Sequence, residues 1–339
     1  MRLKTHIVRP ATFLGKLMGG AALLALTGCG GDDPAPSGNT AAPAPSPSPS
    51  PTPSPTPSPS PTPTTVLTSD IQYGEGATAS GNIPLFLDLY APDAACTANR
   101  PTVLFVHGGG FVGGNKVNDN LEVIADEMVA RGINVVSIQY RLDPEDPIPG
   151  TDFQAILDDF IANAGVDPTE PLLDAIGAAF EDTVLALNFL ESNQDNLCVD
   201  TDALAYWGSS AGAFTVLQTG YGLNQFGIDR PDPRVVVDYW GGLFRDSDLE
   251  VGEAPFLVIH GTNDATVEFA QAQEITGRAD VVAVSYAFYT VNGGGHGFGS
   301  TGTFTLEVDG QTLLERTADF VEAHLTGGTP IYGRFEVDR

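Results

Sequence analysis

The chain is poor in basic residues and in cysteine. Beyond Lys16 the only lysine is Lys116, and the only cysteines are Cys29, Cys96 and Cys198. Four of the 15 Lys and Arg residues lie in the first 28 positions, which hold none of the 43 acidic residues, so 11 basic residues face 43 acidic ones in the remainder. A surface this acidic repels polyanions, which excludes nucleic-acid binding.

Motifs for metals and nucleotide phosphates are also missing. The sequence contains no His-Glu-x-x-His, Cys-x-x-Cys or EF-hand pattern and no Gly-x-x-x-x-Gly-Lys loop. We therefore expect no metal and no cofactor. The longest apolar run near the N-terminus, 17–26, is shorter than the roughly 20 residues that cross a bilayer.

The first 28 residues are typical of a secretory signal, because a basic start without acidic residues precedes this short apolar run. A single membrane anchor is the alternative. The end of the segment, Leu26-Thr27-Gly28-Cys29, resembles the lipobox of bacterial lipoproteins. That resemblance implies an exported protein whose lipidated Cys29 holds it to a bacterial membrane, on the periplasmic side or at the cell surface.

A linker is predicted over 29–65, because residues from 34 to about 64 are almost entirely Pro, Ser, Thr and Ala. Proline removes backbone donors and fixes φ, so this segment favours polyproline II at about 3.1 Å per residue. We expect a stalk or a passive tether, followed by one large domain over 66–339.

Strands and helices alternate along this domain. The predicted strands are 85–90, 102–106, 133–139, 203–207, 235–239, 255–259 and 281–289, and the predicted helices are 121–130, 178–190, 211–218, 270–276 and 313–325. This alternation predicts an α/β fold with a mostly parallel central sheet and helices on both faces. Sites in such folds lie at the carboxyl ends of the strands.

The sequence Gly208-Ser209-Ser210-Ala211-Gly212 matches Gly-x-Ser-x-Gly between a predicted strand and a predicted helix. This is the context of a nucleophile elbow, in which a strained turn points the serine hydroxyl out of the sheet. Glycine at 208 and 212 removes the side chains that would clash in so sharp a turn. The pattern predicts Ser210 as a nucleophile; a passive serine in a glycine-bounded turn is the alternative.

A glycine-rich run, His107-Gly108-Gly109-Gly110-Phe111, follows the strand at 102–106. Without side chains in the way, its amides can converge on the negative oxygen of a tetrahedral intermediate. We assign this oxyanion hole to Gly109, Gly110 and Ala211, with His107 orienting the loop. The dinucleotide pattern Gly-x-Gly-x-x-Gly also fits 108–113, and more weakly 297–302.

Three histidines follow Ser210 and compete for the role of the general base. His296 lies in Gly293-Gly294-Gly295-His296-Gly297, a loop after a predicted strand, where a ring can reach a serine. His324 falls on a predicted amphipathic helix, and His260 at a strand end, so we expect both to be structural.

The orienting carboxylate is assigned to Asp264, which follows the strand at 255–259. A carboxylate there fixes the imidazole tautomer and stabilises the imidazolium. The order Ser210, Asp264, His296 is the chain order of α/β-hydrolases. Asp246 and Asp248 are competing acids, and a loop-capping role for Asp264 is the structural alternative.

Together with Tyr140-Arg141-Leu142 and Glu181-Asp182, these motifs resemble the H-G-G-G carboxylesterases, which include hormone-sensitive-lipase-like and feruloyl-esterase-like branches. The resemblance covers about 85–300. It implies the α/β-hydrolase fold, an Arg141–Asp182 ion pair and hydrolysis of carboxylic esters through an acyl-enzyme. Two departures stand out: 143–177 is long enough for a lid or a decorated loop, and 241–253 is too short for a cap.

The implied fold also pairs two cysteines. Cys96 and Cys198 precede the strands at 102–106 and 203–207, which are parallel neighbours in α/β-hydrolases. Both thiols should then meet at the end of the sheet opposite the site, so we expect a Cys96–Cys198 disulfide.

Two other functions remain open from the sequence. An amidase or peptidase uses the same three residues, so ester preference does not follow from the triad. A surface-tethered binding protein without catalysis would suit the stalk equally well, although binding alone does not need the triad or the glycine loop. The predicted partner is a small-molecule or polymeric ester.

Overall fold

The structure is a computed structural model that describes residues 63–339, except Asn118, Gly165, Ser300, Thr301 and the side chain of Asp119. The predicted signal segment 1–28, Cys29 and the linker up to residue 62 lie outside the described residues. The final linker residue, Thr65, already pairs with Pro92 in the first strand.

Strands in the described residues form one large sheet and one small hairpin. The large sheet contains β1 (Thr65–Thr78), β2 (Gly81–Pro92), β3 (Arg100–Val106), β4 (Asn134–Ile138), β5 (Val199–Ser209), β6 (Val235–Tyr239), β7 (Phe256–Gly261), β8 (Tyr286–Val291) and β11 (Gly333–Val337). The hairpin pairs β9 (Glu307–Val308) with β10 (Gln311–Thr312).

The strand order is β1-β2-β4-β3-β5-β6-β7-β8-β11. Pairing is parallel from β4 to β11, and β2 is antiparallel to both β1 and β4. β6 has five consecutive buried residues, Val-Val-Val-Asp-Tyr, because helices cover both faces of the sheet at its centre. The predicted α/β class with a mostly parallel sheet is confirmed.

The α-helices of the described residues are α1 (Asp119–Val129), α2 (Thr151–Asn163), α3 (Leu173–Ser192), α4 (Gln194–Leu197), α5 (Ala211–Leu217), α6 (Ala270–Val282), α7 (Gly302–Thr305) and α8 (Leu313–Thr326). Local sequence fixes the start of α8 through a capping box. The Glu315 amide donates to Thr312 Oγ1 at 3.1 Å, and the Thr312 amide donates to Glu315 Oε2 at 2.7 Å.

Two hydrophobic clusters lie on the two faces of the sheet. One joins α2, α3, α5 and α6 to side chains such as Leu104, Tyr206 and Val258. The other joins α1 and α8 to the opposite face, through side chains such as Phe105 and Trp207. Neighbouring residues of one strand point into different clusters, as the alternation of a strand requires. None of the described helices is long and apolar enough to cross a membrane.

The predicted strand 281–289 is wrong in its first half. α6 continues to Val282, Ala283 ends it in a left-handed conformation (φ 58°), and β8 begins only at Tyr286. β-branched Val281 and Val282 favour a strand locally, but Val282 is buried on the helix, so packing overrides propensity. The edge strands β1 and β11 were not predicted.

The long segment 143–177 contains α2, whose Phe153, Ile156, Leu157 and Phe160 are buried. Phe160 packs edge-on against Phe180 of α3 and stacks on Phe244. The described part of this segment is therefore packed onto the domain, and its role as a lid stays a prediction.

The sheet end remote from Ser210 carries the expected disulfide. Cys96 and Cys198 are bonded, with Cα atoms 5.9 Å apart. β3 and β5 start there and pair in parallel, so the cross-link joins the starts of two adjacent strands. The Arg141–Asp182 pair is present as well, since Arg141 Nε donates to both Asp182 carboxylate oxygens at 3.0 Å.

Candidate active site

Ser210 occupies a strained turn between β5 and α5. Its φ is 52° and its ψ is −121°, a conformation that a residue with a Cβ rarely adopts. A Cβ at Gly208 would lie 2.2 Å from the oxygen of Gly212, and a Cβ at Gly212 would lie 2.0 Å from the oxygen of Val106. Only glycine fits at these two positions, as the Gly-x-Ser-x-Gly pattern predicts.

The glycine loop after β3 packs against this turn. A Cβ at Gly108 would lie 3.2 Å from Ser210 Cβ and 2.8 Å from the oxygen of Ser209. Gly109 (φ 130°) and Gly110 (φ 62°) both adopt conformations that favour glycine. The Gly109 oxygen accepts hydrogen bonds from the amides of Val112 and Gly113, which closes the loop.

The three amides assigned to an oxyanion hole lie on these two neighbouring segments. Among the hydrogen bonds of the described residues, none uses the amide of Gly109, Gly110 or Ala211 as its donor. The Ala211 amide is free for a structural reason, because it opens α5 and the first amides of a helix have no partner within it. This arrangement is what stabilisation of an oxyanion needs.

His296 bridges Ser210 and Asp264. Its Nε2 lies 2.9 Å from Ser210 Oγ, and its Nδ1 lies 2.8 Å from Asp264 Oδ2. The carboxylate can only accept, so the network assigns the proton to Nδ1 and leaves the Nε2 lone pair facing the serine hydroxyl. The His296 side chain is 25% exposed, so a substrate can reach it. The structure thus brings together all three residues of the predicted triad.

Asp264 is fully buried and held on both oxygens. Oδ1 accepts the amides of Thr266 at 2.9 Å and Val267 at 3.0 Å, while Oδ2 accepts His296. Burial acts to raise the pKa of Asp264, but hydrogen bonds from His260, His296 and Thr266 outweigh it and hold that pKa well below its usual range. The carboxyl group of Asp264 is therefore ionised at neutral pH.

Two of the other predicted candidates, Asp248 and His324, are engaged elsewhere. Asp248 accepts Gln218 Nε2 at 2.9 Å and Arg245 Nε at 2.5 Å. The His324 ring contacts the Phe320 oxygen at 2.7 Å and the Tyr332 hydroxyl at 2.9 Å. Each of these side chains thus has partners other than Ser210 and His296.

His107 lies under the glycine loop, as an orienting role requires. Its ring stacks on Tyr140 with centroids 4.4 Å apart, and its Nδ1 donates to the Gly108 oxygen at 2.7 Å. Burial lowers the pKa of His107 to about 4, although the hydrogen bond to Gly108 acts in the opposite direction. The dinucleotide reading of 108–113 is unsupported, because α1 begins only at Asp119 rather than at the last glycine.

Trp240 is a site residue that the sequence reasoning missed. It follows β6 with a φ of 46°, and its ring lies edge-on to His296 with centroids 6.4 Å apart. The signal was present, because Trp240-Gly241-Gly242 places glycines directly after a predicted strand, as at the other site loops.

A cleft of about 370 Å³ adjoins these residues, and its lining includes Gly108, Gly109, Ser209 and Trp240. None of its lining residues is acidic or is a Lys or Arg residue, although the chain is strongly acidic. A larger cavity of about 480 Å³ lies at the disulfide end and is lined by Cys198; no triad residue lines either space. Size alone does not mark the candidate site; the triad geometry does.

Sequence comparisons give partial matches. The BD-FAE family profile matches residues 87–165, which include the glycine loop but not Ser210. Gut esterase 1 of Caenorhabditis briggsae is 33% identical over 119 residues, or 35% of this chain. The chain spans only 18% of the length of that relative.

Solved structures match over more of the chain. A truncated carbohydrate esterase from gut microbiota is 17% identical, with a TM-score of 0.55, over 78% of this chain and 98% of the other. Thermogutta terrifontis esterase 2, phosphorylated by paraoxon, is 16% identical, with a TM-score of 0.56, over 78% and 96%. At these identities the likeness concerns the fold, and the fold is that of the α/β-hydrolases.

Proposed function

We propose that this chain is a serine carboxylesterase of the H-G-G-G group. The observation that carries the proposal is the continuous contact from Ser210 Oγ through the His296 ring to Asp264, beside a loop with free amides. A binding protein without catalysis has no need of a strained serine with a general base 2.9 Å away. The partial match to the BD-FAE profile supports the same class.

In the acylation step, Ser210 Oγ forms a bond to the ester carbonyl carbon while its proton passes to His296 Nε2. The carbonyl oxygen becomes an anion that the amides of Gly109, Gly110 and Ala211 stabilise. As the C–O bond to the alcohol breaks, the imidazolium returns the proton to the alcohol oxygen, and an acyl-enzyme remains. Asp264 stabilises the imidazolium throughout.

In the deacylation step, water attacks the acyl carbon and gives its proton to His296 Nε2. The Ser210–acyl bond then breaks, Oγ recovers the proton, and the free acid leaves. Both steps use the same amides and the same base, so one site completes the cycle with water as the only co-reactant.

The cleft beside the glycine loop borders the triad without being lined by it, and it suits a substrate group that is uncharged. It offers aromatic walls from Trp240 and Phe304 and amide groups from Asn115 and Asn120, with no cation to pair with a carboxylate. The acidic surface further disfavours anionic substrates.

Replacing the proposed nucleophile tests this function. Ser210→Ala should abolish turnover of short p-nitrophenyl esters and labelling by a fluorophosphonate probe, while Ser192→Ala, at the exposed end of α3, should keep both. A parallel series of p-nitroanilides separates esterase from amidase chemistry. Unchanged ester turnover in Ser210→Ala would refute the nucleophile, and a wild-type chain that neither turns over esters nor reacts with the probe would indicate a binding protein.

We also propose that Cys29 is lipidated and that the residues after it tether the exported domain to a bacterial membrane. The support is the Leu26-Thr27-Gly28-Cys29 sequence behind a basic and then apolar start. Mass spectrometry of the exported protein should show acyl chains on an N-terminal Cys29, and Cys29→Ala should release the domain from membranes. A mature N-terminus other than Cys29, or one without acyl chains, would contradict this.

A further inference from the structure

A second histidine lies behind the triad, where the mechanism above gives it no role. His260 is the penultimate residue of β7 and is completely buried. Its Nε2 lies 3.0 Å from the Val267 oxygen and 3.5 Å from Asp264 Oδ2. The Phe269 ring packs edge-on against it with centroids 5.9 Å apart, which limits rotation of the imidazole.

The proton of His260 can be assigned from its neighbours. Nε2 faces a backbone carbonyl and an ionised carboxylate, and both can only accept, so Nε2 carries the proton. Nδ1 has no hydrogen-bond partner among the described residues. The ring therefore presents its donor to the turn that contains Asp264.

The four groups that face the Asp264 carboxylate differ in where they are anchored. The amides of Thr266 and Val267 belong to the same turn as Asp264 and move with it. His296 lies on the glycine-flanked loop after β8. His260 is the only one of the four that belongs to a strand of the central sheet.

We propose that His260 is a positioning residue that holds Asp264 Oδ2 toward His296 by sharing its Nε2 proton between the Val267 oxygen and that carboxylate oxygen. It touches neither substrate nor Ser210 and acts only through Asp264. This role rests on the proposed function, because it concerns the orientation of the same triad. A carboxylate that is displaced from His296 no longer orients the imidazole, so the position of Asp264 should affect the reaction rate.

Amide substitutions separate this role from simple packing. The terminal NH2 of glutamine reaches the place of histidine Nε2, whereas that of asparagine reaches only the place of Nδ1. We expect His260→Gln to keep kcat for a soluble ester close to wild type. His260→Asn and His260→Leu should lower kcat by about 10- to 100-fold with KM nearly unchanged, because Ser210 and the cleft stay intact.

Proton NMR of the full chain provides a second readout. The His296 Nδ1 proton is hydrogen-bonded to Asp264 and should give a low-field resonance in wild type and in His260→Gln. In His260→Asn this resonance should shift or broaden. Thermal unfolding checks that each variant is folded. Should His260→Leu fail to fold, the Gln and Asn pair still carries the comparison, because both side chains are polar amides.

The outcomes are distinct. Reduced kcat and an altered resonance in His260→Asn, with both restored in His260→Gln, would support the proposal. Equal kcat in the two amide variants, or an unaltered resonance in His260→Asn, would overturn it. If the wild-type chain hydrolyses no ester, the proposed function fails, yet the resonance still reports whether His260 orients Asp264.

Discussion

The two ends of the central sheet differ in backbone conformation and in covalent cross-linking. At the carboxyl end, Phe111, Ser210, Trp240 and Phe298 all have positive φ, and these residues contact or adjoin the triad and its glycine loop. At the amino end, a disulfide joins the starts of β3 and β5, and the Cys198 oxygen accepts the Arg100 amide at 3.0 Å and Asn134 Nδ2 at 2.9 Å. Four of the strained residues thus lie around the site, whereas the amino ends of β3 and β5 have the cross-link and one such residue, Cys198 (φ 58°).

The two ends are coupled through the same two strands. β3 leads into the glycine loop and β5 ends at Ser209, directly before Ser210, while both begin at the disulfide. The comparison implies that changes to the triad and its amides should mainly alter activity, whereas changes at the amino end or beneath the glycine loop should mainly alter stability. Four variants can break or sharpen this separation.

The largest effect should come from Asp264→Asn. Loss of the carboxylate removes the group that fixes the His296 tautomer, so kcat should fall by about 10⁴-fold with little change in KM. Asp248→Asn is the matched control, because Asp248 is also a buried acid but pairs with Arg245 and Gln218. It should lower the unfolding temperature and leave kcat near wild type, as steady-state kinetics and thermal unfolding would show. Similar losses of kcat in both variants would remove the special role of Asp264.

Gly109→Ala should have the next largest effect. Its Cβ would lie 2.0 Å from the Gly113 oxygen, so the loop must open and its amides lose their positions. We expect kcat/KM to fall by about 10²- to 10³-fold. At Gly110 the new Cβ would meet no atom within 4 Å, so Gly110→Ala serves as the milder control. A larger loss at Gly110 than at Gly109 would contradict the assigned loop geometry.

Removing the disulfide tests the amino end. The double variant Cys96→Ala/Cys198→Ala should lose about 2–4 kcal/mol of unfolding free energy, because the unfolded chain gains freedom. Its kcat at 25 °C should equal that of wild type, since the cross-link lies far from Ser210 along both strands. Denaturant unfolding and ester hydrolysis measure the two quantities. A fall in kcat comparable to that of Gly109→Ala would show that the two ends are not separable.

Replacement of His107 by glutamine should have the smallest effect, and this effect on stability should depend on pH. Its pKa is about 6.5 in an unfolded chain and, through burial, about 4 in the fold, so the stability it contributes is present above pH 6.5 and is lost as pH falls toward 4. When the pH falls from 7.5 to 5, the free energy of unfolding of wild type should decrease by about 2 kcal/mol more than that of His107→Gln. The buried acids Asp182 and Asp238 are common to both proteins and cancel in the difference. Parallel pH dependences would indicate that His107 is not buried in its neutral form.

Much of the site was predictable because its geometry is imposed by glycines. Gly208 and Gly212 leave a recognisable spacing around Ser210, and the loops at Gly109 and His296 are marked in the same way. The strands that precede these loops are continuous apolar runs, so the positions of the strands along the chain could be predicted too. Sequence patterns identify these residues because backbone contact tolerates no substitute there.

Other features depend on tertiary packing, which local sequence does not report. β1 is polar on its exposed side and interrupted by register shifts near Asp70 and Tyr73, so it lacks clean alternation. The end of α6 at Val282 contradicts local strand propensity. The direction of the His260 N–H toward Asp264 could not be predicted either, because a His-Gly sequence at a strand end does not indicate which way the imidazole ring points.

The structure of the chain after reaction with a small organophosphonate tests the central claim most directly. The account predicts a bond from phosphorus to Ser210 Oγ, with the phosphoryl oxygen about 3 Å from the amides of Gly109, Gly110 and Ala211. An adduct on any other residue, or a phosphoryl oxygen turned away from those amides, would contradict it.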